Sequence, residues 1–313
     1  MGYKKCAKLL LEQDNILLLT HKNPDGDCLG SAAALCSALR RQGKTAFLYP
    51  NSQVTKKLRA FVEEYFAPEE FKADYVVAVD VAAERMFALG FEGKVDMYID
   101  HHPGDERKAD FMLIHPEMAA CAQVVMKVIK SMGSGIEANE AELLYIALTT
   151  DCGCFRYANT DFAALDAASE LVRRGADAYK IAELFFNKLS PARMKLEGLI
   201  YDSMGFYRDG KLCIALVTKD MMDRAGACDD DCDDIASIAS RAEGSLMSIT
   251  VREQADGSSK VSVRSKPGVS SREVCAVFGG GGHEQASGCC IDAKPQRARE
   301  MLLAVIDEVW KLN

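Results

Sequence analysis

The sequence predicts an α/β protein, with an N-terminal domain built on a parallel sheet and a smaller C-terminal α/β domain. Three observations lead there. Short apolar runs alternate with stretches of helical spacing through the first half. After about residue 205 the character changes to closely spaced strand-like segments. And 313 residues exceed what one ordinary core requires.

The elements follow in order. Residues 16–21 form an apolar run that ends in polar residues, and Leu29, Ala32, Ala33, Cys36 and Leu39 then recur at helical spacing until Gly43. Residues 45–49, 74–80 and 95–100 read as the second, third and fourth strands, with helices near 54–65, 83–89 and 118–132. Such alternation implies a parallel sheet covered on both faces. Residues 138–204 read as nearly all helical, broken at Gly175 and at Ser190-Pro191, where Ser190 suits a cap and Pro191 the first turn. Strands are expected at 205–207, 212–218, 245–252 and 260–264, with a hairpin turn at Asp256-Gly257 and helices near 271–278 and 295–311. The domains are therefore expected at 1–190 and 205–313.

Composition narrows the function. Hydrophobic residues at 49% and charged residues at 27% describe a soluble globular chain. A net charge of −8, from 38 basic and 46 acidic residues, makes long duplexes poor partners, because binding them needs many cations on phosphates. No apolar run reaches the ~18 residues of a membrane span. Glu12, Gln13, Asp14 and Asn15 interrupt the N-terminal leucines, so no signal peptide is read. The expectation is a cytoplasmic protein without a membrane partner. The twelve cysteines include Cys152-x-Cys154, Cys228-x3-Cys232 and Cys289-Cys290. None has zinc-knuckle spacing, and free thiols serving as small apolar residues are expected.

Three of the four predicted strands of the parallel sheet end in the same kind of chemistry. The first runs into His21-Lys22-Asn23-Pro24-Asp25-Gly26-Asp27, the third ends in Asp80, and the fourth ends in Asp100-His101-His102. A helix through Leu143 and Thr150 delivers Asp151. Open parallel sheets bind ligands at the carboxyl ends of their strands, so these residues would converge. Carboxylate oxygen and imidazole nitrogen suit hard or borderline divalent cations, and His21, Asp25, Asp27, Asp80, His101 and Asp151 suffice for two ions. Taken singly, each aspartate also reads as a turn or cap residue; Asp27 would cap a helix starting at Cys28. His115 reads as a surface or structural residue. A second element, GGGGHEQASG at 279–288, lets backbone approach a ligand closely and offers N–H groups to an anion. A helix or turn through Ala286 could present its N-terminus to phosphate, and a flexible hinge is the alternative. Arg264 and Lys266 lie on the nearby strand end.

HKNPDGDCLGSA, AVD, IDHHPG, TTDCG and the C-terminal RSK with FGGGGHEQASG together resemble the DHH phosphoesterase family with its DHH-associated C-terminal domain, over roughly residues 14–310. The resemblance is greatest to members that degrade very short RNAs and dephosphorylate 3′-phosphoadenosine 5′-phosphate (pAp). It implies two divalent cations, with Mn²⁺ expected. His21 and Asp25 would hold one; Asp27, His101 and Asp151 would hold the other; Asp80 would bridge both. His102 would face the scissile phosphate, with Asp80 and His102 as the catalytic pair. Asp100 would orient a histidine from behind. Arg264, Gly280, Gly281, Gly282 and His283 would grip the terminal phosphate or nucleotide, placing the active site in the cleft between the domains. Cys28 and Cys152 are not expected to ligate metal. The partner is short RNA or a small nucleotide, and a homodimer is compatible with the sequence. Cyclic-di-AMP or pApA hydrolysis is the rival activity, and a catalytically dead nucleotide sensor is a third reading.

Overall fold

Helix α1 (Gly2–Leu11) packs an apolar face that includes Cys6, Ala7 and Leu10 and leads into β1 (Ile16–Leu19). From there strands and helices alternate: α2 (Gly26–Arg41), β2 (Ala46–Leu48), α3 (Lys56–Val62), β3 (Tyr75–Val79), β4 (Met97–Asp100) and β5 (Phe111–Ile114). Helices α4 (Cys121–Ser131), α5 (Ala138–Asp151), α6 (Phe162–Arg173) and α7 (Ala178–Ala182) follow, then a π-helical turn over Glu183–Asn187. This computed structural model describes residues 2–104, 107–232 and 234–310. The chain divides into two compact units, Met1–Lys188 and Leu189–Asn313.

In the first unit all strands are parallel, in the order β2-β1-β3-β4-β5. The order reverses between β1 and β3, which opens a crevice at their carboxyl ends. Both faces of the sheet are covered. Leu18, Val77, Val79, Met97 and Ile99 join the larger core, whereas Leu19, Ala78 and Tyr98 join a second cluster on the opposite face. Side chains alternate along a strand, so continuous apolar runs serve two cores at once.

Two local expectations differ from the structure. The run Phe111–Ile114 forms a fifth strand, which its brevity and edge position concealed. Residues 83–89 form only a 3₁₀ turn, Glu84–Met86, rather than a helix. The backbone there is committed elsewhere: Lys22 N–H donates to Met86 O, Ala88 N–H donates to Thr20 O, and Phe87 bridges His21.

Helix α2 is buried from Gly26 to Leu39. It crosses α5 at very short range. A Cβ on Gly30 would lie 2.5 Å from Leu143 O, and one on Gly26 would lie 2.3 Å from Thr150 Oγ1. Only glycine admits that approach. It brings the N-terminus of α2 against the C-terminus of α5.

The second unit begins with α8 (Pro191–Asp202), capped by Ser190, whose Oγ accepts from Arg193 N–H. It continues through β6 (Gly205–Tyr207), β7 (Leu212–Val217), α9 (Lys219–Ala225), β8 (Met247–Glu253), β9 (Ser259–Ser265), α10 (Ser271–Val277), β10 (Gly281–His283), β11 (Ala286–Ile291) and α11 (Pro295–Val309). Its mixed sheet has the order β10-β11-β9-β8-β7-β6, parallel only between β7 and β8. Among the described residues no helix is long and apolar enough to cross a membrane.

The α2–α5 crossing gives a test. Gly30→Val drives a branched side chain into the α5 backbone and should lower stability by about 1–3 kcal/mol, the usual cost of overpacking. Urea unfolding should show a lower midpoint with an unchanged slope. An unmoved midpoint would mean that the helix spacing is set elsewhere.

Candidate metal centre

Helix caps, a strained strand end and main-chain carbonyls place the predicted ligands. Asp25 is the N-cap of α2, and its Oδ1 accepts from Cys28 N–H at 3.0 Å. Asp27 therefore does not cap its own helix, which begins at Gly26 rather than Cys28. It caps another. Its Oδ2 accepts from Cys121 N–H at 2.6 Å, and its Oδ1 accepts from Ala122 N–H and from Ser31 Oγ, both at 3.0 Å. Those amides open α4, whose own N-cap, Ala120, has no capping side chain. A carboxylate at a helix N-terminus is favoured by the amides and the dipole together.

Asp80 follows β3 in the left-handed region, at φ +57°. Its N–H donates to Ile99 O, which ties the turn to β4. Asp80 is 2% exposed, and its Oδ1 is buried without a hydrogen-bond partner. His101 Nε2 lies 3.6 Å and His102 Nδ1 3.4 Å from that oxygen. His101 Nε2 also lies 3.8 Å from Asp27 Oδ2 and 3.7 Å from Asp151 Oδ2. On the other side, His21 Nε2 stands 3.8 Å from Asp25 Oδ1. These separations are too long for hydrogen bonds.

The imidazoles are oriented from behind. His21 Nδ1 lies 2.8 Å from Lys22 O, and His101 Nδ1 lies 3.1 Å from Met118 O. A carbonyl only accepts, so Nδ1 carries a proton in both, and in the neutral ring it is the Nε2 lone pair that faces the carboxylates. That is the tautomer a metal-ligating histidine needs. Asp27, His101 and Asp151 bring ligand atoms within 4.8 Å of one another, and so do His21, Cys28 and Asp80.

Asp100 is fully buried and makes four bonds. Its Oδ1 accepts from the main chain of His101 and His102 and, at 2.9 Å, from His102 Nδ1. Its Oδ2 pairs with the buried Arg107, which also donates to His102 O and Gly104 O. Sequence reasoning missed Arg107, because nothing in its neighbours' spacing marks it, and missed Ser31. His115 stacks on Tyr3 and pairs with Glu117, in keeping with its structural reading.

Electrostatics show what this arrangement lacks. Burial, then the charges of Asp80 and Asp25, push the Asp27 carboxyl well above its usual range, against the pull of its two amide bonds. Burial and the charge of Asp27, with Asp80 and Asp25 adding, push Asp151 up as well, His101 opposing. Asp151 moreover ends α5, where the helix dipole is itself negative. Burial works against protonation of His102, but its hydrogen bond to Asp100 and the nearby charges of Asp80 and Asp100 prevail and raise its pKa to about 11. Crowded carboxylates, an unpartnered buried oxygen and two outward lone pairs fit divalent cations.

The glycine segment differs from expectation. No helix starts there. Gly281–His283 and Ala286–Ile291 form a two-stranded hairpin whose Glu284-Gln285 turn leaves no room for one. A Cβ on Gly280 would meet Gly288 O at 2.3 Å, and one on Gly282 would meet Ala286 O at 2.6 Å. The glycines thus allow close strand contact. His283 pairs with Ala286, and Ala286 with Arg264, so Arg264 and His283 project from one face of three adjoining strands. Both are exposed, as are Gly281 and Gly288 in the next row.

Fold and site together define a hydrolase of phosphate esters. The DHH family N-terminal domain matches residues 15–148 and the DHHA1 domain matches residues 209–311. The chain belongs to the DHH family. It is 33% identical, over 94% of its length and 89% of the relative's, to the bifunctional oligoribonuclease and PAP phosphatase NrnA of Thermus thermophilus. It is 27% identical to the protein of the same name from Mycoplasma genitalium, over 90% of each chain. Among solved structures it is similar to an exopolyphosphatase-related protein from Bacteroides fragilis, with a TM-score of 0.88 and 25% identity, covering 98% of this chain and 96% of that one.

The dipole and charge argument predicts that Asp151→Asn stabilises the metal-free protein. Removing the charge from the helix terminus alone contributes about 0.3–1 kcal/mol. The carboxyl's folded pKa is raised, so the wild type is penalised above that pKa and relieved below it. Unfolding in chelator should therefore favour the variant at neutral pH, with the charge-dependent difference shrinking as the pH falls below the raised pKa and vanishing near the ordinary carboxylate value of about 3.9 of the unfolded chain. A variant less stable than wild type at neutral pH would refute the electrostatic account.

Proposed function

We propose that the first unit is the catalytic, metal-binding domain and that it holds two divalent cations, Mn²⁺ in the working enzyme. The reaction is hydrolysis of short oligoribonucleotides to 5′-mononucleotides and of pAp to AMP. The observation that carries this is Asp80 Oδ1, a buried carboxylate oxygen without a hydrogen bond, faced by imidazoles. Uncompensated, such a group is costly; between two cations it is satisfied. The identity to the oligoribonuclease and PAP phosphatase of Thermus thermophilus supports the substrate class.

In this reading His21 and Asp25 would hold one ion, Asp27, His101 and Asp151 would hold the other, and Asp80 would serve both. The cations, when bound, activate water and neutralise charge on the phosphoryl oxygens. The remaining work belongs to side chains. Arg107 fixes Asp100, and Asp100 fixes His102 by accepting from Nδ1, which leaves Nε2 as the atom that would donate to a phosphoryl or leaving oxygen. On the second unit, Arg264 and His283 take the terminal phosphate or nucleotide. Gly280, Gly281 and Gly282 keep the adjoining surface free of side chains.

Asp80→Asn should abolish turnover of pAp and dinucleotides and cut Mn²⁺ binding, measured by equilibrium dialysis. Arg264→Ala should weaken turnover while leaving metal content intact. Turnover near the wild-type rate in Asp80→Asn would sink the two-metal reading. The same assay run on cyclic-di-AMP and pApA ranks those rival substrates.

Substrate length follows from charge and aromatics. Long single strands need basic tracks with stacking platforms. Here the net charge is −8, and the lone tryptophan, Trp310, is 8% exposed in the core of the second unit with Arg208 over its ring. Initial rates at equal 5′ ends should fall steeply from dinucleotides to RNA of about twenty nucleotides, a length over which stacking contacts would otherwise accumulate. Equal rates would favour a processive exonuclease instead.

A further inference from the structure

The donor set around Asp80 contains a soft atom that the two-ion reading does not use. Cys28 lies in the first turn of α2 and is fully buried. Its Sγ accepts from His21 N–H at 3.4 Å and donates to Val79 O at 3.3 Å, so the thiol is anchored between the ends of β1 and β3. The ligand atoms of His21, Cys28 and Asp80 lie within 4.8 Å of one another, and all three residues are buried. Asp80 also carries the buried Oδ1 without a hydrogen-bond partner, a second sign of a cation at this residue.

Nitrogen, sulfur and carboxylate oxygen at one point form the donor set of zinc and cadmium, whereas manganese prefers oxygen with nitrogen. The ion that takes His21 and Asp80 has a choice of third ligand: the Asp25 carboxylate for a hard cation, or the Cys28 sulfur for a soft one. We propose that His21, Cys28 and Asp80 form a site for a thiophilic divalent cation, Zn²⁺ or Cd²⁺, which competes with Mn²⁺ for the same position and displaces it. On binding, the S–H bond breaks, its proton goes to solvent, and the thiolate pair forms the metal–sulfur bond. The oxidation state of every atom is unchanged. This inference rests on the metal-binding reading of the cluster.

The test uses the full chain with Cd²⁺ as the probe and Mn²⁺ as the competitor. Cadmium bound to a thiolate gives a charge-transfer absorption in the ultraviolet, read as the difference between wild type and Cys28→Ser, with Cys28→Ala as a second variant. Competition against Mn²⁺, followed by electron paramagnetic resonance of the free manganese ion, gives the ratio of the two affinities. The band should be present in wild type and missing from both variants. The Cd²⁺/Mn²⁺ affinity ratio should fall on the order of tenfold or more in each, because loss of a direct ligand costs at least what loss of its support does. A band of equal strength in the variants, or an unchanged ratio, overturns the proposal while leaving the manganese site standing. Failure of wild type to bind either cation overturns the two-ion reading itself.

Discussion

Four carboxylates, from Asp25, Asp27, Asp80 and Asp151, meet where β1, β3 and the C-terminus of α5 converge, and their mutual repulsion is the constraint that the surrounding structure answers. Burial and mutual charge drive Asp27 and Asp151 toward their neutral forms. A different solution is used for Asp100 immediately behind them, where, against burial, the hydrogen bonds and charge of His102, with the buried Arg107 adding, hold the carboxyl ionised. The contrast separates two roles for the same side chain. Asp100 is satisfied by protein alone and serves as a fixed support. Asp27 and Asp151 in front are left short of positive charge.

Position is supplied by elements that take no part in the chemistry. Asp27 joins α2 to α4 by accepting the first amides of the latter, so both its oxygens settle a helix terminus while Oδ2 also faces His101. Met118 O fixes the ring of His101. Residues 118–122 thus hold two of the candidate ligands through backbone atoms, independently of their side chains. The glycine-mediated crossing of α2 and α5 completes the frame by setting how far Asp151 stands from Asp27.

How much of this could be read from the chain depended on where each signal lay. His21, Asp80 and His101 end apolar runs, so strand periodicity and the rule for parallel sheets suffice to bring them together. Asp151 ends a strongly apolar helix and was legible for the same reason. Arg107 and Ser31 carry no pattern, because their importance comes from burial and hydrogen bonding that only the folded chain creates. The segment GGGGHEQ was legible as a place of close backbone approach but not as a hairpin. Glycine permits many conformations, and the register that pairs Gly281 with Gly288 is set by β9 beyond it. The fifth strand was hidden by its shortness, and the missing helix at 83–89 by hydrogen bonds to a strand distant in sequence.

The oxygen of Asp80 that lacks a partner has a thermodynamic reach beyond the reaction. A cation that binds the folded chain and has no such cluster to bind in the unfolded one shifts the folding equilibrium by mass action, by about 2.7 kcal/mol when its free concentration is a hundred times its dissociation constant. That is a substantial share of the ~5–15 kcal/mol by which ordinary domains are stable. The amount of correctly folded enzyme in a cell would then track the free concentration of its metal. Starvation for that metal would remove the protein as well as its activity, through the proteases that clear unfolded chains.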